Sequence, residues 1–242
     1  DSLLNKNTDS EKNFISCSKW LMDNQKSDGS IPMLLGRRYR EETINKGWIS
    51  ASVQGMVLSV FSRAYAVTGD ESYIKAGDKA LKYMTDNCLK EYDADTNRNS
   101  KLLSYLTEEG NFSYYEDVSG QEAHFRLDTQ LYVLIGLYDW KMIDADDSNK
   151  KLASKKFDEE VSMLSRTIAL YDLNGYLSGD LMHISDRKLI GLDVDDKFVK
   201  IIPMLKAVSE ISGNDEITKV YEKYSSFTKD KFYKQSDELI HK

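Results

Sequence analysis

Cysteine and proline are nearly absent from this 242-residue chain, at two residues each. Cys17 and Cys88 allow one bridge at most, which excludes a disulfide framework; both fall in stretches that read as helix, so buried thiols are expected. With only Pro32 and Pro203 to interrupt it, the composition suits long helices. No apolar run approaches the roughly eighteen residues that a membrane span requires. Three scattered histidines (His124, His183 and His241) and two distant cysteines offer no metal-ligand spacing, so neither metal nor cofactor is expected. Positive charge is also short: a net charge of −7 argues against nucleic acid as a partner.

What is present is a chain 40% hydrophobic and 30% charged, long enough for one large domain over 1–242 with a substantial core. From Gly47-Trp48-Ile49-Ser50 onward, Ile49, Val53, Met56, Val57, Val60, Phe61 and Ala64 recur at helical spacing. Gly69 supplies a helix stop and Asp70 can cap the next helix, so the two helices form an αα-hairpin. Periodicity predicts helices at 10–26, 49–67, 71–88, 124–141, 150–171, 196–212 and 214–230. Thr68-Gly69-Asp70-Glu71 is echoed by Ser212-Gly213-Asn214-Asp215, as stacked helical hairpins would require. Residues 101–118 break the pattern: Leu102–Leu106 and Phe112–Glu116 read as a β-hairpin closed by a loop with Gly110.

Several stretches, in order, resemble the C-terminal domain of the D-glucuronyl C5-epimerase family. They are Asn24-Gln25-Lys26-Ser27-Asp28-Gly29-Ser30-Ile31-Pro32, Gly47-Trp48-Ile49-Ser50 with Gln54-Gly55, Arg63-Ala64-Tyr65, Leu134-Ile135-Gly136-Leu137-Tyr138-Asp139, Leu170-Tyr171-Asp172 and Asp180-Leu181-Met182-His183. The resemblance implies an all-α fold in the main, an incomplete α/α toroid with the small β-hairpin inserted. It implies a polysaccharide containing hexuronic acid as partner, a location outside the cell or in its envelope, and an assembly that allows a homodimer. Family members often carry an all-β region before the helical domain, so the chain reads as a minimal homologue or an excised piece.

Inverting C5 of a uronate removes the C5 proton from one ring face and returns one to the other, which takes two opposed acid/base groups and a stabiliser for the carboxylate. Counted back without gaps from Leu127, the resemblance puts the family's glutamate on Asp117 and its neighbouring tyrosine on Val118; a one-residue shift restores Glu116 but places no tyrosine after it, and two further family tyrosines fall on Gly179 and near Val194. Valine and glycine shuttle no protons. The acid/base set is therefore sought among Glu116, Asp117, Tyr114, Tyr115 and Tyr176. Substrate contacts are expected from Trp48 by stacking, from Gln54 by its amide, from Arg37, Arg38 and Arg126 toward a carboxylate, and from Asp180 and His183. Each has a structural alternative: a solvated arginine loop, helix-end packing for Trp48, an alternating β-hairpin for residues 114–117.

Loss of the tyrosines fits a non-catalytic glycan-binding homologue, and a polysaccharide lyase or glycoside hydrolase on the same fold is a further reading. Asp193-Val194-Asp195-Asp196 resembles the proton-donating motif of terpene cyclases, yet the same acids read simply as the opening of the following helix.

Overall fold

The computed structural model describes residues 8–39, 42–92, 106, 112–117, 125–143, 147–185 and 194–226. Arg40, Val118, His124, Arg187, Asp193 and His241 lie outside the described residues. The described chain is mainly α-helical, with two small two-stranded sheets. It divides into two compact units, one of Asp1–Lys90, Tyr115–Ala123 and Tyr132–Asp158, the other of Glu91–Tyr114, His124–Leu131 and Glu159–Lys242. No helix among the described residues is long and apolar enough to cross a membrane.

In the first unit, α1 (Thr8–Asp23) ends earlier than its periodicity predicts, because the Asn24–Ser30 segment is a docking turn. The Gln25 amide donates to the carbonyls of Gly29 (3.0 Å) and Ala76 (2.8 Å). Gly29 has φ +94°, and a Cβ there would lie 2.1 Å from the Lys79 carbonyl oxygen, so only glycine fits. An antiparallel pair, β1 (Arg37–Tyr39) and β2 (Glu42–Ile44), sets Arg38 opposite Thr43.

Helices α2 (Ala51–Thr68) and α3 (Ser72–Tyr83) make the expected hairpin. Gly69 stops α2 at φ +69°, its N–H reaching the Tyr65 carbonyl at 2.7 Å. Asp70 then accepts the Ser72 N–H at 2.9 Å and opens α3. Ala51, Val57, Leu58, Phe61 and Ala64 bury one face of α2; Tyr73, Ala76, Ala80 and Leu81 bury that of α3. α4 (Leu127–Met142) meets α2 backbone to backbone: a Cβ on Gly136 would sit 2.2 Å from the Gly55 oxygen, and one on Gly55 2.6 Å from the Tyr132 oxygen. Asp139, near the end of α4, accepts from Ser59 and pairs with Arg63 at 3.0 Å. The Trp140 indole lies where a Cβ on Gly77 would be. α5 (Asp147–Thr167) starts inside the polar cluster before residue 150 and ends in a 3-10 turn, Ile168–Tyr171.

The helix expected over 71–88 changes character after Tyr83: Met84–Cys88 is a π-turn, and β3 (Leu89–Tyr92) follows. Among the described residues, β3 is the ladder partner of β4 (Phe112–Tyr115), and the expected partner segment 102–106 is described only at Leu106. Residues 101–105 lie outside the described residues. One of the two cysteines departs from the expected burial: Cys17 is exposed, whereas Cys88 is buried, and both are free. Cys17 lies on the solvent side of an amphipathic helix whose periodicity leaves that face open.

In the second unit Tyr92, Phe112, Tyr114 and Phe125 stack with ring centroids 5.0 to 6.2 Å apart. After the 3-10 turn, Asp172 and Leu177 bridge across a tight turn with Asn174 at φ 55° and Gly175 at φ 115°. A short helix, α6 (Met182–Ser185), precedes α7 (Val194–Ser212). Gly213 ends α7 at φ 59°, and Asn214 caps the last described helix, α8 (215–226), through the Glu216 and Ile217 N–H groups. This is the same turn chemistry as at Gly69-Asp70.

Candidate functional site

Ser50 is the residue around which the first unit's polar cluster forms. Its extended backbone (φ −113°, ψ 129°) ends the Gly47-Trp48 approach, and its hydroxyl oxygen accepts the Val53 N–H at 3.3 Å, capping α2. The same hydroxyl donates to Oδ1 of Asp117, which also accepts from Ser52 at 2.7 Å. Each serine has one proton, and both protons go to the carboxylate. Asp117 is only 4% exposed, so these donors replace water that burial has removed. Its second oxygen faces the Arg37 guanidinium at 3.8 Å.

Arg37 lies at the start of β1 with its guanidinium 5.3 Å from the centre of the Trp48 ring, within cation–π range. The Trp48 N–H is fixed to the Leu35 carbonyl at 3.1 Å, and the chain on either side is tied by Met33 to Trp48 (2.9 Å) and Gly47 to Met33 (2.8 Å). Trp48 itself is half-buried. Glu116 is buried, with its N–H on the Cys88 carbonyl at 3.0 Å, and Tyr115 is buried beside it in sequence. Burial, and then the Asp117 carboxylate, push the Cys88 thiol up to about 12, so it stays protonated across the neutral range. Gln54 is fully buried; its amide reaches the Ile31 carbonyl at 3.4 Å, and its Oε1 has no partner among the described residues. Arg38 is exposed on β1.

The remaining expected site residues belong to the second unit. Tyr114 is buried, its hydroxyl against that of Tyr171, which in turn donates to the Phe125 carbonyl at 2.6 Å. Phe125 has φ 50°, unusual for an aromatic residue, and that hydrogen bond helps to hold it there. Arg126 pairs with Asp128, its Nε 3.0 Å from Oδ1. Asp180 offers its carbonyl to the Ser178 hydroxyl (2.6 Å) and to Nδ1 of His183 (3.2 Å). The Tyr176 carbonyl accepts from the Tyr224 hydroxyl at 2.9 Å, and Tyr224 also donates to Asp172 at 2.6 Å, a carboxylate that Lys223 approaches as well.

Of the residues expected to act, the first unit thus brings together Asp117, Arg37 and Trp48, and adds Ser50, Ser52 and Cys88. Ser50 closes the Gly-Trp-x-Ser stretch and Ser52 follows two residues later, a spacing that gives no sign that both turn to one carboxylate. Tyr171 was visible in Leu170-Tyr171-Asp172, but nothing in the sequence announces its contact with Tyr114. A Cβ on Gly179 would meet nothing within 4 Å among the described residues. Among the described residues no group of three or more His, Cys, Asp or Glu could hold a metal.

Comparison with known proteins agrees with the motif order. Residues 25–226 match the family model described as D-glucuronyl C5-epimerase C-terminus. The D-glucuronyl C5-epimerase of Caenorhabditis elegans is 28% identical over 224 residues, covering 88% of this chain and 34% of that protein. The chain therefore spans about a third of the length of that relative. With four-fifths of its residues under one family model, this chain belongs to the D-glucuronyl C5-epimerase C-terminal family.

Proposed function

We propose that this chain takes a hexuronic-acid-containing polysaccharide and exchanges the proton at C5 of a uronate residue. The observation that carries the reading is Asp117: a buried carboxylate held by Ser50 and Ser52 and facing Arg37, which lies over Trp48. In this reading Trp48 stacks on a sugar ring while Arg37 and Arg38 draw charge from the uronate carboxylate. Asp117, or Glu116 beside it, takes the C5 proton as the C5–H electron pair moves toward the carboxylate. Tyr115, the candidate phenol of the same unit, returns a proton to the opposite face. No cofactor is assigned a part in this reading.

A second reading has support of its own. Gly179 leaves open space where the family carries a tyrosine, which fits a homologue that holds the glycan without turning it over. Incubation with uronic-acid polysaccharides in heavy water, followed by NMR at C5, separates the two. Deuterium at C5 with new epimer signals is the expected result, reduced by about 10²–10⁴-fold in Asp117→Asn. An unsaturated sugar product would make the chain a lyase. Binding with no exchange on any polymer would establish the holding role.

A further inference from the structure

We propose that Arg37 makes this chain select acidic over neutral sugars, by exchanging its ion pair with Asp117 for one with the ligand's carboxylate as the sugar settles on Trp48. The inference rests on the reading of Trp48 and Asp117 as a glycan site.

Three observations point to the exchange. The guanidinium covers a face of the indole at 5.3 Å from its centre, and a pyranose cannot stack on that face while it is there. Its contact with Asp117, at 3.8 Å, is an ion pair beyond direct hydrogen-bond length, and its side chain is 34% exposed while that of Asp117 is 4% exposed. Finally, Asp117 keeps two hydroxyl donors on its other oxygen, so the carboxylate remains solvated by the protein when Arg37 moves. The indole, by contrast, is pinned through its N–H to Leu35, and so it is the guanidinium that yields.

The energetic consequence depends on the ligand. A neutral sugar must lift the cation from both the ring and the carboxylate and gives it no anion in return. A uronate supplies that anion beside the ring, and a planar guanidinium can grip it through two parallel N–H groups. The discrimination therefore comes as much from what Arg37 denies to neutral sugars as from what it offers acidic ones.

Binding of hyaluronan hexasaccharide, and of the same hexasaccharide with its carboxyl groups reduced to alcohols, tests this by calorimetry and Trp fluorescence. Wild type is expected to prefer the acidic form by about tenfold or more. Arg37→Met should bind the acidic form about tenfold more weakly and the neutral form at least as tightly as wild type does, so that the preference collapses. Arg37→Lys, which keeps the charge but loses the planar fork, should fall between them, and guards against a folding defect in the first variant. Equal weakening of both ligands in Arg37→Met, or a preference that survives the substitution, would overturn the exchange while leaving the glycan site standing. Failure of wild type to bind either hexasaccharide would overturn both.

Discussion

Ser50 caps α2 through its hydroxyl and also binds Asp117, whereas Ser52 binds Asp117 and the Ser50 hydroxyl (2.7 Å) but caps no helix. The two serines should therefore differ on substitution. Ser50→Ala loses a cap and a buried donor together and is expected to cost about 2–4 kcal/mol. Ser52→Ala should cost about 1–2 kcal/mol. Urea unfolding followed by circular dichroism measures both, and equal costs would contradict the double role. The cysteines make a second contrast at this scale. Cys17 is exposed and should react with a thiol reagent in the folded protein; Cys88, buried and protonated up to about pH 12, should react only after unfolding. Mass spectrometry of timed alkylation reads this directly. Residue roles were the least legible part of the sequence. The letters Ser50 and Ser52 were plain, but a hydroxyl's partner 65 or more positions away is set by tertiary packing. Gly179, where the resemblance puts a family tyrosine, offers a direct test, because Gly179→Tyr would supply a phenol there. If the open position is what limits turnover, that variant should raise C5 deuterium incorporation.

Among the elements, the helices were the readable part, because a 3.6-residue apolar period survives without knowledge of partners. The stops were readable too: Gly69 and Gly213 both adopt the left-handed conformation that glycine alone takes freely, and Asn214 caps the next helix, whereas the N-cap of α3 is Glu71 and Asp70 holds the Ser72 N–H just before it. What failed was the end of α3, where an apolar pattern runs on while the chain switches to a π-turn and then to a strand paired with β4. A strand partner more than twenty residues downstream leaves no local trace. The turn at 172–177 carries a pH prediction. Burial alone would raise the Asp172 carboxyl, but hydrogen bonds from Lys223 and Tyr224 outweigh it and hold it below the usual carboxylate range. Its stabilisation is fully present above the unfolded value of about 3.9 and is lost as pH falls through the lower folded value. Tyr224 shifts the other way, raised by burial first and by Asp172 next, so its contribution holds below about pH 10 and erodes above it. Thermal melts of Asp172→Asn and Tyr224→Phe should show flattened acid and alkaline limbs respectively. Melting curves that keep their wild-type pH dependence would remove this pair from the account.

For the molecule as a whole, net charge is the property that composition gives without ambiguity. At −7, with a pI near 5.1, the chain repels a polyanionic glycan at long range even if Arg37 and Arg38 attract it nearby. Salt screens the first effect more than the second, because the Debye length at 0.1 M is about 10 Å. The association rate with a uronic-acid oligosaccharide is therefore expected to rise, by about two- to fivefold, as salt increases from about 10 to 100 mM. Stopped-flow fluorescence would show it; a steep fall would mean that a larger basic surface governs capture. The close contact of α2 with α4 has a bearing on how such a chain can diverge. Gly55 comes from one recognisable stretch and Gly136 from another, and the two touch; Arg63 and Asp139, from the Arg-Ala-Tyr and Leu-Tyr-Asp letters, pair along the same helices. An alanine at either glycine would drive a methyl into backbone that cannot step aside, at a cost of about 3 kcal/mol or more. The letters that make this chain recognisable are thus, in good part, the two sides of a joint. A lineage that keeps this joint keeps the family's signature whatever becomes of its proton carriers, because ancestry is recorded in how the helices fit and chemistry is recorded elsewhere.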